Sequence, residues 1–571
     1  MQLNLKAKKI ITASLVALFT VSAVAYKMAT LNNSNSSTTA GENSTGAKQT
    51  TSEKTAEYSS IFKKDSVIDI KVELPETELK DILENPMEEE YKNANVTING
   101  ATVKDVGFRT KGNLTLRSVA SSDSDRFSFR IKLDKYVDGQ NLLGLDELVV
   151  NNMYADPSFM REYLSYEALR KIGADVPETV FANVYINGEL YGFYLCVEAI
   201  DDSFLERNFG NNDGNLYKQE KGSTLQYKED GNYESYELKE GEDETKADLK
   251  NLTKVLSEMP KGEKGNIETV LNVDSALRYI ATNTVLGNYD SYSGNMVQNY
   301  YLYSQNGKFT VIPWDYNMSF GGFGAGGDAT TIPIDEPVMG VNIENLPLIN
   351  NLLAVKEYKD KYHQYVSELV SYLDNFETRV TELSNIIRPY VEADTRKFYT
   401  MEQFEANLKY TKTSTEKTSD AVQNNGDLKQ DVTSSATQNT DAKGGSGNDK
   451  QRPQGGEKGA QSGNRQGPTK AQDNGNMPKP PEGMEMNNMN PPANMQNGDM
   501  PTSPPGMENG NMQAPPKGDM KGGPNGGMMG STSIVTYVKD RIENIKKQLS
   551  GELPTTGNTT MNGSKMGGGR K

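Results

Sequence analysis

Residues 288–324 read NYDSYSGNMVQNYYLYSQNGKFTVIPWDYNMSFGGFG. Asp290 and Asn295 stand in a D-x-x-x-x-N spacing, directly after an apolar helical run, ALRYIATNTVLGNY (276–289). A hairpin pattern follows, YYLYSQNGKFTVIP (300–313), with Asn306-Gly307 at its turn. It ends on Trp314, the only tryptophan of the chain, and Asp315. Phosphoryl transfer uses such a set: a carboxylate to orient an acceptor hydroxyl, an amide oxygen for a metal, and a second carboxylate for the metal that bridges the phosphates. Magnesium accepts these hard oxygen ligands. Asp and Asn are also ordinary turn formers, so the spacing gains weight only from the rest of the chain. Gly321, Gly322, Gly324, Gly326 and Gly327 suit a pliable segment over the site.

Composition narrows the chemistry. The 571 residues carry a formal net charge of -16, which argues against a nucleic-acid partner, because such a partner needs a basic face to displace its counterions. An acidic surface attracts basic proteins instead. One cysteine, Cys196, and one histidine, His363, exclude an internal disulfide and a Cys/His zinc site. His363 sits in a charged helical stretch, KEYKDKYHQYVSEL, a poor setting for a catalytic triad. The remaining reagents are carboxylates, amides, lysines and hard cations.

Residues 1–26 read as a signal peptide or N-terminal anchor: Lys6, Lys8 and Lys9 precede an apolar run over 10–26, with Ala23-Val24-Ala25 fitting a cleavage site. The protein is accordingly expected to be exported, extracellular or at the cell surface, or membrane-anchored through 10–26. Residues 27–56 are a Ser/Thr/Asn-rich linker. Folded sequence is expected over 57–410. Alternating apolar residues mark strands in SVIDIKVELP, ANVTINGATVKDVGFRTKGN and DRFSFRIKLDKY, and Asn99-Gly100 and Asn187-Gly188 mark hairpin turns. PSFMREYLSYEALRKIG reads as a helix opened by Pro157 and closed by Gly173. Residues 411–530, rich in Gly, Pro, Asn and Met, cannot bury enough apolar surface to fold alone and read as a low-complexity disordered insertion. A capped helix follows at 531–551, then a disordered tail at 552–571. LPTTG (553–557) looks like a sorting signal, but no apolar span follows it, so it reads as a turn.

Lys132 stands on the strand pattern FRIKL, where a protein kinase has its phosphate-pairing lysine. Glu162 and Glu167 stand on the following helix, where a kinase has the glutamate that holds that lysine, and the sequence does not choose between them. FRTKGN (108–113), FSFRIKLDKY (127–136), MREYLSYEALRKIGADVP (160–177), VYINGELYGFYLCVEAIDDSFL (184–205), NLYK (215–218), LGNYDSYSGNMVQNYYLY (286–303) and FTVIPWDYNMSFG (309–321) together resemble the spore coat protein H (CotH) kinase family, an atypical protein-kinase-like group. The resemblance implies a two-lobed α+β fold with a strand-rich N-lobe and a mostly helical C-lobe. It also implies ATP and Mg²⁺ as cofactors, and transfer of the γ-phosphate to Ser/Thr of surface or coat proteins; with the acidic charge of the chain, a Ser-rich, basic protein substrate is expected. It makes Asp290 the catalytic-loop residue, Asn295 and Asp315 metal ligands, and Lys132 the phosphate lysine. Glu198 falls where a hinge meets adenine, and the TKGN turn with Lys111 and Asn113 stands in for a glycine-rich loop. Trp314 reads either as a core anchor or as an adenine-stacking ring. Where the family often has a second Asp after the Trp-Asp pair, this chain has Asn317, which offers a metal an oxygen without charge. A non-catalytic surface, adhesion or coat-assembly module on the same fold is the competing expectation.

Overall fold

The computed structural model describes residues 56–323, 328–411 and 532–557. The expectations for 1–55, for the insertion and for Gly324, Gly326 and Gly327 therefore lie outside the described residues.

Seven strands come first: β1 (Val67–Glu73), β2 (Lys92–Ile98), β3 (Ala101–Thr110), β4 (Phe129–Lys132), β5 (Glu147–Asn151), β6 (Thr179–Ile186) and β7 (Glu189–Glu198). They form a closed barrel in the order β1-β2-β3-β4-β5-β7-β6. The barrel closes where β6 runs parallel to β1, with Val67 opposite Phe181 and Val72 opposite Ile186. The period-2 alternation of β1 places Ile68, Ile70 and Val72 inward, where they meet Val96, Phe108, Phe129, Ile131 and Cys196 in one core. Asn99-Gly100 and Asn187-Gly188 both have positive φ, as a two-residue I′ turn requires.

A second sheet, in the order β11-β10-β8-β9, is built from β8 (Asn215–Gln219), β9 (Tyr236–Glu240), β10 (Tyr300–Gln305) and β11 (Lys308–Pro313). The helices are α1 (Glu76–Glu84), α2 (Leu114–Ala120), α3 (Arg161–Lys171), α4 (Asp202–Phe209), α5 (Ala247–Ser257), α6 (Val273–Leu286), α7 (Pro347–Ala354), α8 (Lys356–Leu373), α9 (Phe376–Ala393), α10 (Met401–Asn407) and α11 (Ile534–Leu549). Helix α6 is buried along nearly its whole length, between β11 on one side and α8 and α11 on others. It ends at Gly287, whose φ is +57° and whose Cβ position is occupied by the Tyr537 hydroxyl of α11, so only glycine fits there.

The fold is mixed α+β, but its strand-rich first part is a closed barrel, and the second part carries a four-stranded sheet among its helices. Strands β5, β8 and β9 are five residues each, too short for alternation to mark them in the sequence. Helix α11 is part of the same compact body. The buried Arg541 guanidinium donates to the carbonyls of Thr284 (2.9 Å) and Ile332 (2.6 Å). The Thr411 amide donates to Thr536 Oγ1 at 2.8 Å, and Ser533 Oγ donates to the Lys409 carbonyl at 2.8 Å. The chain thus leaves the body after residue 411 and returns at 532 at the same place. Beyond the expected end at 551, the Asp335 amide donates to the Thr555 carbonyl and the Gly557 amide to Glu336 Oε2, both at 2.8 Å. LPTTG is therefore fastened to this body, at least as far as Gly557.

Candidate active site

The loop between α6 and β10 carries Asp290 and Asn295. Gly294 is needed there because a Cβ would collide with the Tyr289 carbonyl. The curl points Asp290 and Asn295 into a cavity of about 520 Å³ that lies between the barrel and the second sheet. Gln298 Nε2 donates to Asp290 Oδ1 at 2.8 Å, and Asn299 Nδ2 donates to the Asp290 carbonyl at 2.7 Å. Past β11, Asp315 enters the same cavity with φ +56°, an uncommon conformation for a non-glycine residue. The buried Tyr166 hydroxyl holds it there by accepting from the Asp315 amide at 3.2 Å. Asn317 follows in the cavity wall, and its Oδ1 is buried without a hydrogen-bond partner. Trp314 does two jobs: it packs edge-on to Tyr301 at 5.8 Å and also lines the cavity.

The barrel supplies the facing wall. Lys111 lies just beyond β3, where its amide donates to the Ser128 carbonyl at 2.9 Å. Its Nζ donates to Asn151 Oδ1 at 3.1 Å, and Asn151 Nδ2 donates to Glu162 Oε2 at 2.7 Å. One amide thus relays the lysine to the glutamate in the first turn of α3. Beside them, Arg130 pairs with Glu147 at 2.7 Å, and its buried Nε has no partner. Asn113, ahead of α2, also borders the cavity.

Electrostatics couple the two walls. Burial, and after it the Asp315 charge, push the Glu162 carboxyl up to about 8. Burial likewise raises Asp315, while the Lys111 and Lys218 charges hold it down. Burial and the Asp315 charge push Asp290 up to about 6, against the hydrogen bonds from Gln298 and Asn299. Burial lowers Lys111, and the charges of Asp315 and Glu162 oppose it. Burial and the Asp315 charge thus disfavour the charged forms of Glu162 and Asp290 in one cleft, a perturbation of the kind found at functional sites.

Two residues singled out in the sequence lie elsewhere. Lys132 pairs with Asp134 at 3.2 Å and does not border the cavity. Ser128, just before β4, and Arg130 and Lys132 on it share the outward face, and Lys132 stands one pleat, about 7 Å, too far along it. The lysine facing Glu162 is Lys111. Glu198 is buried at the end of β7, held by Arg207 (2.5 Å) and the Tyr58 hydroxyl (2.5 Å) and accepting from the Glu178 amide (2.8 Å). It does not border this cavity and serves as the anchor of an internal ion-pair network. The structure also separates the two glutamates of α3: Glu167 pairs with Arg379 at 2.9 Å, away from the site, whereas Glu162 faces it. Sequence reasoning missed Asn151, which sits at the end of the short β5, and gave no role to Arg130 or to Lys218 of NLYK.

Asp315, Asn295 and Asn317 offer one charge and two neutral oxygens to a hard cation. The unpartnered Asn317 Oδ1 is the observation that fits one. Among the described residues no group of three His, Cys, Asp or Glu side chains forms a metal cage. A magnesium ion held partly by water and by phosphate oxygens does not need such a cage.

Taken together, the cleft gathers carboxylates, amides and a buried lysine between a barrel and a sheet-and-helix body. The family model described as CotH kinase protein matches residues 108–422, more than half of the chain, and the chain belongs to that family. Among curated relatives, the inner spore coat protein H of Bacillus subtilis (strain 168) is 28% identical over 276 residues, which are 46% of this chain and 73% of that protein. Invasin CotH2 of Rhizopus delemar is 24% identical over 271 residues, 43% of this chain and 44% of the invasin. The similarity thus covers less than half of the invasin's length.

Proposed function

We propose that this chain is a magnesium-dependent protein kinase of the coat or cell surface, moving the γ-phosphate of ATP to a Ser or Thr hydroxyl. The barrel acts as the nucleotide-side lobe and the sheet-and-helix body as the acceptor side, a two-lobed kinase-like arrangement. The observation that carries this reading is the convergence of Lys111, Glu162, Asp290, Asn295, Asp315 and Asn317 on one cavity. Lys111, positioned through Asn151 by Glu162, binds nucleotide phosphates. Asp315, Asn295 and Asn317 hold Mg²⁺, which when bound neutralises charge on the phosphate oxygens. Asp290, held by Gln298, orients the acceptor hydroxyl and takes its proton. Trp314 borders the base. The relative named as a spore coat protein supports a coat protein as acceptor, and the acidic charge of the chain suits a Ser-rich basic one.

The relative named as an invasin favours a second reading, a surface-binding module on the same fold. Transfer of γ-labelled phosphate from ATP to a Ser-rich basic protein, with the full chain and with Asp290→Asn, separates the two. The kinase reading expects transfer that falls by about 10²–10⁴-fold in the variant, with Mg-ATP binding kept. Bound nucleotide without any transfer favours the surface module.

A further inference from the structure

Besides Lys111, the cavity is lined by Arg109, Arg130, Lys218 and Lys239, cations to which the kinase scheme gives no role. Lys218 ends the NLYK stretch on β8, opposite Tyr301 of β10 in the sheet register. Tyr301 packs edge-on to Trp314, the residue before Asp315. Lys218 therefore enters the cavity from the sheet wall, whereas Lys111 enters it from the barrel wall.

The cations differ in how they are held. Lys111 is fixed by Asn151 and faces Glu162. Arg130 is fixed by Glu147, whose side chain is 8% exposed. Lys218 is 32% exposed, and its partner is Glu220 at 2.8 Å, itself 46% exposed. An exposed pair of this kind contributes little and is easily exchanged, and a lysine on its four-carbon stem can swing to a new partner. The charges of Arg130 and Lys218 also disfavour a charged Lys111. A ligand with several negative charges relieves this repulsion, and both lysines already act on Asp315.

We propose that Lys218 meets the terminal phosphate of a nucleoside triphosphate from the sheet wall, and so sets the preference for triphosphate over diphosphate. Lys111 grips the phosphates that both nucleotides share. On binding, Lys218 leaves Glu220 and closes the cation set around the group to be transferred, where fixed positive charge stabilises the charge spread over its oxygens. This inference rests on the kinase reading.

Calorimetric titration of Mg-ATP and of Mg-ADP into the full chain tests it, with wild type, Lys218→Met, Lys218→Arg and Lys111→Met side by side. Loss of one charge-assisted contact predicts about tenfold weaker ATP binding in Lys218→Met, with ADP changed less than about twofold. Lys111→Met weakens both nucleotides, and Lys218→Arg keeps most of the preference for ATP. Melting of the ligand-free variants at Lys218 stays at the wild-type value, because the side chain is partly exposed and its ion pair is weak. Equal weakening of ATP and ADP in Lys218→Met, or no weakening, overturns the assignment of Lys218 while leaving the kinase reading in place. A wild-type chain that binds neither nucleotide overturns the kinase reading and this inference with it.

Discussion

The two walls of the cavity are built on opposite principles. On the barrel wall the charged groups of the site have buried partners, Lys111 and Glu162 through Asn151 and Arg130 through Glu147, although Arg130 Nε is left unpaired. On the wall made by the α6–β10 loop, the stretch after β11 and β8, binding capacity is left open. Asn317 Oδ1 has no partner, Lys218 has a half-exposed one, and Asp315 is held charged by Lys111 across the gap and by Lys218 on its own wall. The barrel is closed and packed around a continuous apolar core, so it can hold a lysine at one point without a ligand. The second wall keeps unsatisfied groups that cost stability until something binds. Preorganisation on one side and open valence on the other is the division a site needs to bind a polyanion with its metal.

Exchanging the roles of the two lysines would break this comparison most severely. Lys111→Met removes the fixed barrel cation and should weaken Mg-nucleotide binding by about 10–100-fold, the range for losing a hydrogen bond to a charged group. Lys132→Met should change it by less than about twofold, since its partner Asp134 is partly exposed. Calorimetry on both variants decides, and the reverse ranking would restore Lys132 as the phosphate lysine.

A smaller effect concerns proton uptake by the acidic groups. Glu162 has its folded-state value raised from 4.5 to about 8, so the folded chain binds more protons than the unfolded one between those limits. The ligand-free protein therefore loses stability as pH rises through that window. Glu162→Gln should remove much of this loss, raising the melting midpoint at pH 8 by a few degrees, the scale of about 1 kcal/mol, while weakening nucleotide binding through Lys111. In the proposed reaction Asp290 works in its charged form, and it is raised to about 6, so kcat/KM should fall as pH drops through about 6 and level off above it. A melting midpoint for Glu162→Gln below wild type at pH 8 would mean that its charge stabilises the fold.

The smallest expected effect is on the insertion. Residues 411 and 532–533 are brought together by hydrogen bonds from Thr411 and Ser533. Replacing 412–531 by a short Gly-Ser linker should shift the melting midpoint by no more than about 2 °C, because loop closure costs little and grows slowly with length. A drop of ten degrees or aggregation would show that the insertion supports the body.

How much of this was legible in the sequence depends on how local each feature is. Asp290, Asn295, Trp314, Asp315 and Asn317 lie within 28 consecutive residues, 290–317, joined by one hairpin whose Asn306-Gly307 turn is explicit. Local pattern alone brings them to one wall. The barrel wall is assembled from β3, β4, β5 and α3, and nothing local says which of their polar residues converge. Lys111 and Lys132 both stand near strand ends, and choosing between them requires knowing where each strand ends in space. Glu198 has the sequence setting of a hinge residue, yet Arg207, nine positions on, and Tyr58, 140 positions back, claim its carboxylate. Closure of the barrel by the parallel β1–β6 pairing is equally hidden, since inward alternation looks the same in an open sheet and a closed one.

Thermal melting of the full chain in millimolar ATP, with and without Mg²⁺, tests most directly whether this cavity takes a metal-dependent nucleotide. Wild type should gain about 2.7 kcal/mol when Mg-ATP stands at a hundredfold its dissociation constant. Asp315→Asn should melt at or above wild type without ligand, because it removes a buried charge, and should lose the magnesium-dependent part of the gain. No shift in wild type, or an equal magnesium-dependent shift in Asp315→Asn, would contradict the site described here.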